Sequence, residues 1–184
     1  MDSQALNELA KEYGFEGVGI TTTDTIPFVP EFRENCEENL CGNYGRNYSC
    51  PPYCGTVEEM MAKVRSYRHA IVLKTAFEVD NALDGEAMKP LKKDHSQRSR
   101  LFFKQVKETY GITEDHMILA GPCGLCEKCR MPEDKPCPFE AERASCLSAY
   151  SINITTLAEE LGMPISWDLD QVSFFSLYLW EKVK

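Results

Sequence analysis

The stretch Gly121-Pro122-Cys123-Gly124-Leu125-Cys126-Glu127-Lys128-Cys129, closed by Pro136-Cys137-Pro138, restricts what this chain can fold into more than any other. Three cysteines at two-residue intervals supply three thiolates from one turn of loop. The intervening amides stay free to bond the sulfurs, which is the arrangement that holds a cubane iron–sulfur cluster. In the bacterial ferredoxin run a fourth cysteine follows three residues later, with proline after it. Here seven residues separate Cys129 from Cys137, and the Cys-Pro signature is kept. Either Cys137 closes the same cluster through a longer excursion, or it reaches across to another site. The competing reading is structural zinc, with Cys123/Cys126 and Cys129/Cys137 as two pairs in a closed tetrahedral site.

A second group lies upstream at Cys36, Cys41, Cys50 and Cys54, spaced C-x4-C-x8-C-x3-C, with Pro51-Pro52 between its last two members. It is read as a second [4Fe–4S] site, with the two prolines fixing an extended chain just after Cys50. If Cys54 is not used, three cysteines leave an iron open to substrate or to another ligand. Tyr44, Arg46 and Tyr48 fall between Cys41 and Cys50, and would line that site. The ninth cysteine, Cys146, falls in an expected helix among apolar neighbours and is read as a buried structural thiol outside both sites. The odd cysteine number, the tight C-x2-C spacings and an N-terminus without basic or apolar signal regions argue against a disulfide scaffold. They lead to the expectation of a cytoplasmic protein.

The formal charge of −9 argues against nucleic acid, because phosphate binding needs a basic surface. The basic cluster from Lys89 to Arg100 reads as the solvated face of a helix. No apolar run approaches the roughly 18–20 residues that span a bilayer. The acidic surface is compatible with a protein partner in electron transfer. No Ser/His/Asp set, phosphate loop or paired carboxylates stand out, and no catalytic residue is assigned. His69, His95 and His116 are isolated and read as structural or exposed; Trp167 and Trp180 read as core.

The chain of 184 residues suits one domain, 1–184. Apolar periodicity predicts a helix over 3–13, stopped by Gly14, then a strand over 15–21 whose Gly17 and Gly19 serve close packing. From Thr22 to about Gly55 periodicity is lost. Thr56 to Glu59 is a capping box opening a helix with Val57, Met60, Met61 and Val64 on its apolar face. His69 to Phe77 is a continuous apolar run typical of a buried strand. Leu91 to Tyr110 is an amphipathic helix, with Leu101, Phe102, Gln105, Val106 and Tyr110 near its buried side and Gly111 past its end. Met117 to Ala120 is a third strand running into the Cys123 loop. Glu140–Ser148 and Thr155–Leu161 look helical, and Ile165–Trp167 with Val172–Trp180 read as closing strands. The expected fold is α/β: a single domain with a mixed sheet, flanking helices and two long cysteine-bearing loops that meet at one end of the sheet.

Cys41-Gly42-Asn43-Tyr44-Gly45-Arg46-Asn47-Tyr48-Ser49-Cys50-Pro51-Pro52 resembles the C-x2-Y-G-x4-C-P-P segment of the prokaryotic "predicted metal-binding protein" family, a domain of unknown function. Cys36 matches the cysteine before that segment, and Cys123, Cys126, Cys129 and Pro136-Cys137 match the second motif. Cys146 to Ile154 is similar to the family's S-M-E-A-Y-G-I-D-V tail, with Cys146 standing in the serine position, Ser148 replacing the glutamate and Ser151 the glycine. Cys54 lies outside the motif. The resemblance implies metal binding, in a family that looks common in anaerobic bacteria and archaea and so suits iron–sulfur clusters, and it brings no established reaction. A lesser likeness joins Ala10 to Ile20 to the start of epoxyqueuosine reductases and reductive dehalogenases.

The expected function is therefore an iron–sulfur redox protein of anaerobic metabolism. It holds one or two [4Fe–4S] clusters and exchanges single electrons with a redox partner protein. The alternatives are a zinc-stabilised binding module without redox role, and a small-molecule reductase using an open-site cluster with a pocket near Tyr44 to Tyr48.

Overall fold

The computed structural model describes residues 1–183. Helix α1 (Ser3–Glu12) begins at Asp2, whose carboxylate accepts the Gln4 N–H at 3.0 Å, and it turns Leu6 and Ala10 inward. Strand β1 (Gly17–Thr22) follows. Its two glycines admit close neighbours: a Cβ at Gly17 would lie 2.7 Å from Met163 Sδ, and one at Gly19 would lie 3.1 Å from the Leu161 side chain. The expected close-packing role of both glycines is what the structure shows.

The segment after β1 is not wholly irregular. A 3-10 turn (Thr23–Thr25) and the short helix α2 (Phe32–Glu37) break it, and α2 carries Cys36. Helix α3 (Val57–Arg65) opens with the expected capping box: Thr56 Oγ1 accepts the Glu59 N–H at 3.2 Å, and Glu59 accepts the Thr56 N–H at 2.8 Å. Strand β2 (Tyr67–Glu78) leads to α4 (Gly85–Tyr110), then β3 (Asp115–Leu119). Helix α4 starts six residues before the expected Leu91, because the Asp84 carboxylate accepts the Glu86 and Ala87 N–H groups, and it runs on through Pro90. Gly111, at φ +64°, ends α4 in the left-handed region as expected.

The expected Glu140–Ser148 helix is absent. A 3-10 turn (Glu140–Glu142), the two-residue strand β4 (Ser145–Cys146) and a second 3-10 turn (Leu147–Tyr150) stand there, because β3 offers an edge that β4 pairs. Helix α5 (Ile154–Glu160) and strand β5 (Gln171–Lys182) complete the described chain. Ile165–Trp167 forms no strand, and Trp167 is 76% exposed instead of core. Among the described residues no helix is long and apolar enough to cross a membrane.

The sheet order is β1-β2-β5-β3-β4, antiparallel throughout except for the parallel β3–β4 pair, so the sheet is mixed as expected. β2 and β5 pair from Tyr67↔Lys182 to Glu78↔Gln171. Successive β2 side chains alternate between faces. Ile71 and Leu73 meet α1 and α4 through Leu6, Phe102, Phe103 and Val106. Ala70 and Val72 meet α3 and α5 through Met60, Val64, Leu157 and Ala158. Burial on both faces explains why β2 reads as one continuous apolar run. On α4 the buried stripe runs through His95, Ser99, Phe102, Phe103 and Val106, while Leu101 is 59% exposed. Phe102 and Val106 are buried as expected, while Leu101, Gln105 and Tyr110 are exposed, because the inward stripe runs through polar His95 and Ser99 instead.

His95 bonds Thr75 Oγ1 at 2.8 Å, and burial holds its imidazole down at about 4 from the ordinary 6.5. The unfolded chain takes up that proton first as pH falls, so stability is full above the ordinary value and is lost toward pH 4. Urea unfolding at about pH 7 and about pH 5 is expected to show His95→Gln losing about 2 kcal/mol less than the parent chain over that interval.

Candidate metal centre

Both cysteine groups belong to the loops that leave the sheet at β1 and at β3. In the upstream loop, Asn39 at φ 55° and Gly42 at φ +70° turn the chain after α2, and Asn39 Oδ1 accepts the Tyr44 N–H at 3.0 Å. Asn47 Oδ1 then accepts from both Ser49 N–H (3.1 Å) and Ser49 Oγ (2.7 Å), a local turn that sets the chain into Cys50. After Cys50 the chain turns and does not extend, since Cys54 N–H bonds Cys50 O at 3.1 Å. The prolines therefore sit within a turn that brings Cys54 back beside Cys50, contrary to the extended expectation.

Arg33, on α2, is the fixed point of this loop. Its Nη2 donates to Ala149 O at 2.8 Å, and its Nη1 to Gly55 O at 3.2 Å and to Cys54 Sγ at 3.7 Å. The residue is only 8% exposed, and its Nε has no partner among the described residues. A buried guanidinium held by carbonyls and a sulfur, with no carboxylate among these contacts, suits an anionic metal–thiolate body beside it.

The downstream loop begins where β3 ends. Cys123 N–H donates to Ser49 Oγ at 3.0 Å, and Tyr48 O–H donates to Lys135 O at 2.9 Å. These two bonds join the cysteine loops, so the expected meeting of the loops is present in the fold. Arg100 Nη2 reaches Cys123 O at 2.9 Å and Cys123 Sγ at 3.6 Å, while its Nη1 holds Glu142 O at 3.0 Å. Each cysteine group thus has one arginine donating to one of its sulfurs. The stretch between Cys129 and Cys137 is a folded turn, anchored by buried Met131 and closed by Lys135 N–H on Arg130 O at 3.2 Å. Tyr48 meets Tyr53 edge-on and lies under Arg143, so loop packing accounts for it.

All nine cysteines are unpaired by disulfides. Burial raises the Cys36 thiol to about 11, with the nearby Cys146 charge adding to it; burial and Cys146 likewise raise Cys50 to about 12. Cys54 is raised by burial against the opposing pull of Arg33, and Cys146 is raised by burial with Cys41 nearby. Buried thiols whose charges oppose one another are a donor set that ionises when a cation enters between them, since the thiolate is the ligand form. The residues therefore fit a metal–sulfur group. As they stand, among the described residues no three Cys, His, Asp or Glu side chains are drawn together closely enough to hold a single ion.

The expected ligands fall into two neighbouring sets: Cys36, Cys41, Cys50 and Cys54 in one loop, Cys123, Cys126, Cys129 and Cys137 in the other. Sequence reasoning missed Arg33 and Arg100, which look like ordinary surface cations until the fold shows what they touch. The histidines are structural: His116 bonds Tyr150 O–H, and His69 pairs with Glu181 at 3.4 Å. A cavity of about 340 Å³ opens beside α2, between Phe32, Asn35, Lys92, Ala120, Leu147 and Phe174.

Removing the Arg33 guanidinium takes its donors from the buried Ala149 carbonyl and the part-buried Gly55 carbonyl. Arg33→Met is expected to cost about 3 kcal/mol of stability in urea unfolding, and Arg33→Lys is expected to recover little of it, because a single ammonium cannot span three acceptors.

The model of a family described as "Predicted metal-binding protein (DUF2284)" matches residues 19–180. No curated protein matches the chain. Among solved structures, an epoxyqueuosine reductase from Streptococcus thermophilus is similar at 11% identity and a TM-score of 0.46, over 100% of this chain and 47% of that one. An epoxyqueuosine reductase with a tRNA-Tyr epoxyqueuosine-modified stem loop is similar at 11% identity and a TM-score of 0.42, over 95% of this chain and 44% of that one. The chain spans less than half the length of either enzyme.

Proposed function

The chain belongs to the family of predicted metal-binding proteins, and on that premise we propose that it is an iron–sulfur redox protein with two adjacent [4Fe–4S] sites. The observation that carries this reading is the Cys123, Cys126, Cys129 loop, whose Cys123 N–H is bonded to Ser49 next to Cys50. That bond supports an electron path between the two sites through a few bonded atoms. When bound, the clusters supply one-electron transfer. The protein's own part is to hold the sulfurs, to shield them from water, and to donate hydrogen bonds to them from Arg33 and Arg100. Such donors raise a cluster's potential by offsetting its negative charge. The electrons pass to or from a redox partner protein in the cytoplasm, docking on the acidic surface.

A second reading, a small-molecule reductase, is favoured by the cleft beside α2. It reaches Asn35, next to Cys36, and Leu147, next to Cys146, and Lys92 is the charged residue in its wall.

Cys50→Ser and Cys126→Ser, each purified anaerobically, are expected to lose about half of the visible absorbance that dithionite bleaches, while a double variant loses all of it. Absorbance unchanged in both single variants would overturn the two-site reading.

A further inference from the structure

The cavity of about 340 Å³ beside α2 is framed by segments that adjoin both cysteine groups. Asn35 in its wall precedes Cys36, Leu147 follows Cys146, and Ala120 stands three residues before Cys123. Its volume lies at the small end of the range of about 300–1,000 Å³ that ligand pockets take. Most of its lining residues are apolar, among them Phe32 on α2, Leu147 after β4 and Phe174 on β5. Among the described residues no carboxylate lines it, and Lys92 on α4 is the one charged side chain in its wall. An apolar pocket with a few polar groups is the usual form of a small-molecule site.

Lys92 is held in place there and left without a counterion. Its stem passes over Gly121, where a Cβ would lie 3.0 Å from Lys92 Cδ and 3.2 Å from Lys92 Cγ. Its ammonium stands 5.8 Å from the centre of the Phe174 ring, within cation–π reach. Among the described residues it forms no ion pair. Lys74, in the wall of another cavity of about 380 Å³, is the contrast: Glu16 holds it at 3.2 Å and Pro164 O at 2.9 Å. A second unmet group is Ser173 in the lining, whose buried Oγ has no hydrogen-bond partner among the described residues. A buried hydroxyl without a partner is costly until something supplies one.

We propose that this cavity binds a small organic monocarboxylate with an aromatic or branched apolar body, its carboxylate on Lys92 and its body against Phe32, Leu147 and Phe174. One ammonium matches one negative charge, and a phosphate ester would bring more charge than this wall can meet. The charge-assisted hydrogen bond from Lys92 fixes the acid end, and Ser173 Oγ is the second polar group that orients the ligand. The apolar walls keep water from the ion pair and so strengthen it. As a substrate class this rests on the small-molecule reductase reading; as a binding site it stands on the cavity alone.

The test titrates phenylacetate, its neutral isostere phenylacetamide, and acetate into the full chain purified anaerobically, with binding read by saturation-transfer NMR. Phenylacetate is expected to bind the parent with a Kd of about 1 mM or tighter, and the amide and acetate about tenfold more weakly. Lys92→Met, which keeps the stem and removes the charge, is expected to weaken phenylacetate about tenfold and to leave the amide as it was. Lys92→Arg is expected to stay within about threefold of the parent. No phenylacetate binding by the parent overturns the proposal, as does equal binding of acid and amide, or phenylacetate binding unchanged in Lys92→Met. If Lys92→Met fails to fold, the comparison of acid with amide on the parent decides. The visible spectrum of the dithionite-reduced chain is recorded with and without phenylacetate. Lys92-dependent binding that leaves that spectrum unchanged would support the site and sink the reductase reading alone.

Discussion

The long antiparallel ladder between β2 and β5 is the constraint on which the rest of the molecule depends. It puts Ile71, Leu73 and Tyr178 on one face and Val72, Leu177 and Leu179 on the other, and both faces are covered. A strand pair buried on both sides holds its register strongly, because a one-residue slip would exchange the two faces. The outer edge of β5 then receives β3, and β3 receives β4. Cys123 and Cys146 are delivered to the same end of the sheet by this order of strands alone. The cysteine groups lie on loops and on the short helix α2, and their placement follows from the ladder.

Two arginines carry that placement outward. Arg33 ties α2 to the turn after Cys54 and to the turn after β4; Arg100, on α4, ties the start of the Cys123 loop to Glu142. Both also donate to a sulfur. In a chain with a formal charge of −9, two inward cations at the two cysteine loops are a local reversal of the overall balance. Positive charge at these points favours anionic metal–thiolate groups there, and Arg33 opposes the burial that raises the Cys54 thiol.

Local signals were legible in the sequence where local bonds decide the structure. The Thr56 to Glu59 box, the Gly111 stop and the β2 apolar run are each settled by residues within a few positions, or by burial on both faces. The two cysteine groups were equally plain from spacing. The fate of Cys146 was not, because Ser145 and Cys146 become a strand only through pairing with Ile118 and Leu119, more than 20 residues away in sequence. Propensity cannot register a partner at that distance. On α4 the inward stripe contains Ser99, which bonds Ser176 Oγ at 2.7 Å, and a serine on the core side disguises the helix phase. Trp167 misled for the opposite reason: a large apolar residue on a surface segment reads as core.

Iron, zinc and acid-labile sulfide per chain, measured on anaerobically purified protein with a visible spectrum before and after dithionite, test the central claim most directly. The account predicts about eight iron and eight sulfide, no stoichiometric zinc, and a broad band near roughly 400 nm that bleaches on reduction. Stoichiometric zinc with no sulfide and no visible band would contradict it, and would leave a folded module built around structural metal.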